Sequence, residues 1–201
     1  ETSRFLNLCM NFYLLAAVGV AMASIVTARE LVQVAGSAKG LPAADIFPVL
    51  VIGFFIYALH VFLNAGLLIH KKTKSMAILI FISAAINIGL NVILIPPMGL
   101  RGSAAAMIVS YSALVALTAY ASRPLLPLSI AWGSLARWLA LAVTVGAAVS
   151  LLHFDSTVVS LFVKGGLCVA LFFGPLALFD PYVKSTIDGL RRAQAEAGTP
   201  A

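Results

Sequence analysis

Three polar residues in one hydrophobic segment of the sequence are spaced so that they fall on one face of a helix. Tyr57, His60 and Asn64 are three and four residues apart, and side chains at these spacings lie above one another on a helix. Such a face can line an aqueous cavity, where an imidazole binds or releases a proton between pH 5 and 8. The alternative is hydrogen bonding between packed helices, worth about 0.6–2 kcal/mol per contact in a membrane. Both interpretations stay open, and the three residues are candidates for a polar route.

Two carboxamides in a later apolar run are a second candidate feature. Asn87 and Asn91 are four residues apart and therefore share a helix face. An amide can bind a polar ligand, but it also hydrogen-bonds the backbone or side chains of a neighbouring helix. We favour the second, structural interpretation.

The residues that follow these asparagines predict a tight helical hairpin. Pro96 and the next proline are expected to end the helix because they lack the backbone N–H donor. Gly99 and Gly102 permit the backbone angles of a sharp reversal. Gly102, Ala106 and Ser110 then form a stripe of small residues at a spacing of four, which allows two helices to approach closely.

Lys164 is a charged residue inside the last apolar run. It lies about six residues, or roughly 9 Å, from the start of that run. We expect its long side chain to extend back to the lipid headgroups. The alternative is that the ammonium stays buried and contacts a substrate.

The sequence contains no arrangement that predicts catalysis. The seven acidic residues and three histidines do not combine into a cluster, whereas acid–base chemistry needs such groups to converge in one site. Metal-ligand spacings and a glycine-rich phosphate loop are also missing. Cys9 and Cys168 fall in separate apolar runs and are expected to be buried as small hydrophobic residues. We therefore expect no enzyme activity, no metal and no cofactor.

The amino-acid composition indicates that these residues lie in a lipid bilayer and not in water. Of 201 residues, 62% are hydrophobic and 10% are charged, whereas a soluble domain carries about 25% charged residues. Apolar runs of about 20 residues are long enough to cross a bilayer as helices. The sequence thus predicts an all-α, polytopic membrane helix bundle with about six transmembrane helices. The predicted spans are 5–28, 46–69, 76–95, 103–122, 135–152 and 158–179, the last of them kinked or ended near Gly174 and Pro175.

The positions of lysine and arginine predict the orientation of these spans. Nine of the 13 basic residues fall on one side, including Lys71, Lys72 and Lys74, and four fall on the other. Because basic residues concentrate on the cytoplasmic side, both ends of the chain are predicted to be cytoplasmic. This distribution also accounts for the net charge of +6 without a nucleic-acid partner.

At "INIGLNVILIPPMGLRGSAAAMIVS" the sequence resembles the MOP exporter superfamily, and most closely its polysaccharide and O-antigen (Wzx-type) lipid-linked oligosaccharide flippases. Their late helices commonly show the pattern N-x-x-x-N-x-x-L-I-P-x-x-G-x-x-G-A-A. The matching residues here are Asn87, Asn91, Leu94, Ile95, Pro96, Gly99, Gly102, Ala104 and Ala105. The short basic segment "HKKTK" that precedes this helix is similar to a loop of the same family.

The resemblance implies a flippase that carries undecaprenyl pyrophosphate-linked oligosaccharide across the bacterial cytoplasmic membrane by alternating access, coupled to protons or sodium ions. The chain would be the C-terminal lobe of a larger transporter and would pack against an N-terminal helix bundle. It would comprise a four-helix region at 1–122 that is similar to the C-terminal part of polysaccharide-biosynthesis transporters, two further transmembrane helices at 123–179, and a cytoplasmic tail at 180–201. Tyr57, His60, Asn64 and Lys164 would then be candidates for the transport route.

Two other functions remain as alternatives. A multidrug or cation antiporter of the same superfamily is the second candidate, and an acidic residue within the missing N-terminal helices would favour it. A membrane-embedded glycan polymerase or acyltransferase would need a large outer loop or a reactive His, Asp and Arg set, and neither is visible in the sequence.

Overall fold

A computed structural model of the chain describes residues 2–35, 44–126, 128–152 and 156–179. The predicted tail at 180–201 lies outside these residues. Within them the protein consists of six helices and has no strand. The helices are α1 (Thr2–Ala35), α2 (Phe47–Ile69), α3 (Thr73–Met98), α4 (Leu100–Ser122), α5 (Trp132–Ser150) and α6 (Thr157–Phe179).

All six helices are long and apolar enough to cross a membrane. Many large apolar side chains face outward, among them Phe81 at 75% exposure and Phe162 at 74%. In water such a surface would be strongly unfavourable, whereas in lipid it is already in an apolar solvent. The fold prediction is therefore confirmed: the protein is an all-α, multi-pass integral membrane protein.

Two predicted helix ends were wrong, and both helices are longer than expected. Helix α3 continues through Pro96 and Pro97 to Met98, because the fixed φ of proline, about −65°, is itself helical. It is Gly99, with a φ of +56°, that ends the helix. Helix α1 continues beyond residue 28 to Ala35 and thereby places Arg29 and Glu30 in a helix instead of a loop.

Helix α6 does not end near Gly174 and Pro175, where the sequence predicts a kink or an end. Gly174 and Pro175 lie inside a helix that extends to Phe179. A proline removes one backbone hydrogen bond, and the rest of the helix holds the turn together when neighbouring helices pack against it.

The helices form two groups of three. Helix α4 packs along both α2 and α3, and α1 packs on α6 and α5. Contacts between α1 and α2 join the two groups. The sequence-based region 1–122 combines α1 with α2–α4, but α1 has its most extensive contacts with α6.

An apolar core lies inside the group formed by α1, α5 and α6. Trp138 and Phe172 are fully buried there and pack around Cys168 and Met22. Both Cys9 and Cys168 are free thiols. Gly19 of α1 permits this packing, because a Cβ atom there would lie only 2.8–2.9 Å from the rings of Phe173 and Phe172.

Two asparagines of α1 position the segment that leads into α5. The Asn7 side chain accepts a hydrogen bond from the backbone N–H of Ser129 at 2.7 Å, and the Asn11 side chain accepts one from Ala131 at 3.0 Å. Asn11 also donates to the Ser129 carbonyl at 3.3 Å. Unpaired backbone groups are costly at membrane depth, so these side chains allow the non-helical segment to lie against α1.

Candidate functional sites in the spanning helices

The polar face of α2 is directed toward α4. The Nδ1 atom of His60 lies 3.0 Å from the Oγ1 atom of Thr118, and both side chains are buried. Tyr57, one turn earlier, is 43% exposed, and its ring centroid lies 5.0 Å from that of Tyr111. His60 thus makes the interhelical hydrogen bond of the packing interpretation, while Tyr57 reaches the surface.

One turn beyond the His60–Thr118 contact lie two buried polar atoms without a partner in the described part of the chain. They are Oδ1 of Asn64 and Oγ of Ser122. Helices α2 and α4 run in parallel, because Gly53 approaches Met107 while Gly66 approaches Ser122. Asn64 lies one turn after His60 in α2, and Ser122 lies one turn after Thr118 in α4. Asn64 and Ser122 are therefore at the same level of the two helices.

The asparagines of α3 are directed toward the small-residue stripe of α4. Asn87 donates a hydrogen bond to the Ser110 hydroxyl at 2.9 Å, and the hydroxyl of Ser83 donates to the Ser110 carbonyl at 2.9 Å. Asn91 donates to the carbonyl and to the side chain of Asn87 within its own helix, both at 2.9 Å. The geometry agrees with the structural interpretation for Asn87, whereas Asn91 supports Asn87 and does not reach α4.

Gly102 lies at a close approach of α3 and α4 in their hairpin. A Cβ atom at this position would collide with the backbone carbonyl of Leu94, its carbon atom being only 2.6 Å away. Ala106 and Ser110, which continue the stripe along α4, are both fully buried. The hairpin is therefore as tight as the sequence predicts, and glycine is required at Gly102 by the closeness of α3.

Lys164 does not extend to the headgroups as predicted. Its Nζ atom lies 2.7 Å from Oε1 of Glu30 in α1, and the Lys164 and Glu30 side chains are only 11% and 13% exposed. The hydroxyl of Ser160 donates a second hydrogen bond to the same oxygen at 2.9 Å. A lysine inside a span is costly unless it is paired, and a carboxylate on the neighbouring helix stabilises it better than a stretched side chain.

Glu30 is the functional candidate that sequence reasoning missed. It lies just past the predicted end of the first span, at the start of a predicted outer connection. Lys164 itself is the sequence signal that could have identified Glu30. A lysine within a span predicts an acidic residue close enough to form an ion pair with it.

An apolar groove, the second feature that sequence reasoning missed, lies between α2 and α5 over one side of α1. Its volume is about 650 Å³, and its walls include Leu14, Met22 and Val26 of α1, Ile52 and Leu59 of α2, and Gly146 of α5. The polar face of α2 does not line it. Cavities of 300–1,000 Å³ are of the size that binds small ligands.

Together these features define a multi-pass membrane protein with polar contacts inside each helix group and an apolar groove between the groups. Within the described ranges, no three His, Cys, Asp or Glu side chains gather as metal ligands do. No family model, no curated protein and no solved structure matches the chain.

Proposed function

We propose that the chain is part of a flippase that moves undecaprenyl-linked oligosaccharide across the bacterial cytoplasmic membrane for polysaccharide biosynthesis. The observation that carries this proposal is the α3–α4 hairpin. Asn87, Gly99 and Gly102, which match the flippase pattern, have distinct structural roles within it: a bond to α4, the positive φ of the turn, and the close helix contact.

The arrangement of the helices supports transport by alternating access. Such a cycle needs rigid bodies that tilt against one another around a site. The α3–α4 hairpin is held by hydrogen bonds and close packing, and α2 is held to α4 by the His60–Thr118 contact. These three helices would move as one body, with their contacts to α1 as the joint.

The route candidates differ in what they offer a substrate. Tyr57 is half-exposed and can contact a sugar or another helix, whereas His60 and Asn64 lie deeper, beside the buried Ser122 hydroxyl. His60 is the imidazole there, the side-chain type that transporters can use to couple transport to a proton gradient. Lys164 could contact a pyrophosphate only if its bond to Glu30 opened.

A cation antiporter of the same superfamily is the second candidate, because Glu30 provides a carboxylate inside a span. A coupling site would have to accept a proton or metal cation at that carboxylate. One of its oxygens already binds the ammonium of Lys164 and the hydroxyl of Ser160. This occupancy favours the flippase. The proposal invokes no enzyme activity and no cofactor.

Surface glycan in a bacterial strain deleted for its own flippase tests the proposal. The full-length protein should restore the glycan when the strain supplies a matching lipid-linked oligosaccharide. No restoration by well-expressed wild-type protein across strains with different glycans would refute the flippase function.

Substituting His60 tests the route in the same assay. His60→Asn keeps a hydrogen-bonding side chain but removes the titratable ring, so export should fall at unchanged protein level. His70→Asn is the matched control, since His70 is exposed at the end of α2. Wild-type export by His60→Asn would assign His60 to helix packing only.

A further inference from the structure

The short turn between α2 and α3 gathers positive charge at one end of the molecule. Lys71, Lys72 and Lys74 are all exposed there, and we call these three residues the basic turn. Arg123, which directly follows α4, is exposed at the same end, because α2 and α4 run in parallel and are in contact near their last turns. Cationic side chains from two connections thus share one end of the α2–α4 group.

The described part of the chain provides no counter-charge for the basic turn. Its acidic residues are Glu30, near the end of α1, and Asp45, just before α2, so both lie at the opposite end of these helices. They are paired with Lys164 and Arg101, respectively. Among the described residues, the lysines of the basic turn form no ion pair and no side-chain hydrogen bond. The segment 180–201 has three acidic and three basic residues, so it brings no net negative charge either.

The backbone of the turn has a lysine at a position that favours glycine. Lys71 has a φ of +54°, a value that is uncommon for any residue with a side chain. The N–H groups of Lys71 and Lys72 bond to the carbonyls of Leu68 and Leu67 at 3.0 and 2.9 Å, and this helix ending usually has glycine at its left-handed position. The preference of basic residues for the cytoplasmic side explains lysines in the turn, but it does not explain a lysine at this backbone position.

The other two lysines lie where a helix favours negative charge. Lys72 is the N-cap of α3 and Lys74 belongs to its first turn, which contains no acidic residue and has no side-chain cap. The first N–H groups of a helix carry partial positive charge, so cations there are unfavourable and anions are favourable. One bound anion would therefore offset both the repulsion between the lysines and the unfavourable charge at the start of α3.

The exposed apolar residues on both sides of the turn indicate which anion it reaches. Leu68 and Ile69 before the turn are 60% and 53% exposed, and Ile78 after it is 57% exposed. In a membrane protein such side chains face the hydrocarbon. Only three residues separate α2 from α3, so the basic turn cannot extend far from the membrane and lies at the level of the lipid headgroups. Phosphate groups of lipids are already present at this level, whereas a soluble acidic protein would have to approach through them.

We propose that the basic turn binds the headgroup phosphate of an anionic phospholipid in the leaflet that the turn faces. The three ammonium groups donate to the phosphate oxygens, next to the uncapped start of α3. A lipid without net charge would leave the repulsion between the lysines in place, so the site prefers phosphatidylglycerol to phosphatidylcholine. This site is separate from the polar face of α2 and from the apolar groove, and it does not depend on the protein being a flippase.

Native mass spectrometry of the purified full-length protein tests the site. The protein in neutral detergent is mixed with equal amounts of phosphatidylglycerol and phosphatidylcholine, and the bound lipids are identified by mass. The wild type should retain phosphatidylglycerol preferentially, and Lys72→Gln and Lys74→Gln should each weaken its binding about fivefold. Arg101→Gln is the matched control, because it removes the same charge from an exposed position at the other end of the molecule. No preference in the wild type, or an equal loss in Arg101→Gln and Lys72→Gln, would overturn the proposal.

Lys71→Gly separates lipid binding from folding. Glycine adopts a φ of +54° without strain, so in detergent without anionic lipid this variant should unfold at a midpoint temperature about 2–4 °C above that of the wild type. Its affinity for phosphatidylglycerol should nevertheless be about fivefold lower. A midpoint below that of the wild type, or an unchanged affinity, would overturn the proposal. Inorganic phosphate that raises the wild-type midpoint as much as phosphatidylglycerol at the same concentration would assign the turn to soluble anions and would also overturn it.

Discussion

The substitution Gly102→Ala should destabilise the protein, although alanine is the better helix former. The added methyl group would collide with the Leu94 carbonyl and lie 3.1 Å from the backbone nitrogen of Ile95. Overpacking costs typically 1–3 kcal/mol, and we expect the upper end because backbone atoms cannot rotate away. Alanine returns up to about 1 kcal/mol through helix propensity. The net loss should therefore be about 2 kcal/mol, and larger for Gly102→Leu.

The matched control for this prediction is Gly89→Ala. Gly89 lies in the middle of α3, is exposed, and has no atom within 4 Å of the position that a Cβ would occupy. Alanine there should be neutral or should stabilise the protein by up to about 1 kcal/mol. The measurement is the midpoint temperature at which detergent-purified protein loses its monodisperse peak. A Gly102→Ala midpoint equal to or above that of Gly89→Ala would refute the packing argument.

Three further outcomes are expected. Lys164→Met should cost about 3–5 kcal/mol in the same thermal assay because it leaves the Glu30 carboxylate buried and unpaired, and adding Glu30→Gln should recover most of that loss; no recovery would contradict the ion pair. Asn87→Ala removes one interhelical hydrogen bond and should cost about 1 kcal/mol, so a loss above that of Gly102→Leu would contradict the proposed order. A thiol reagent that does not cross the membrane should label a cysteine at position 100 and not one at position 72 in intact cells, and the reverse pattern would invert the orientation predicted from the basic residues.

The number of helices was predictable because each span must be continuously apolar over the bilayer thickness. The ends of the helices were less predictable. Hydropathy indicates which residues are apolar enough to lie in lipid, but a helix can continue beyond those residues. Helix α1 thus continues past residue 28 through two charged residues to Ala35. At the end of α3, a positive φ at Gly99 and not the missing donor of Pro96 terminates the helix.

Contacts within a hairpin were predictable, and contacts between distant helices were not. Asn87 and Ser110 are 23 residues apart and are brought together by one short turn, so the bond between α3 and α4 agrees with the sequence pattern. Glu30 and Lys164 are 134 residues apart, and spacing within one helix contains no information about which other helix will be its neighbour. The groove was unpredictable for the same reason, since its walls come from α1, α2 and α5, which are distant in sequence.

The pairing of α1 with α6 sets an order of events during synthesis. At about 5–20 residues per second, Lys164 is made roughly 7 to 27 s after Glu30, which is 134 residues earlier. During that interval the nascent α1 has a carboxylate near the membrane without its final partner. The protein can therefore complete the packing of α1 only after its last described helix has been inserted. Chains that stop before α6 would expose Glu30, and quality-control proteases could distinguish them from finished protein by that group.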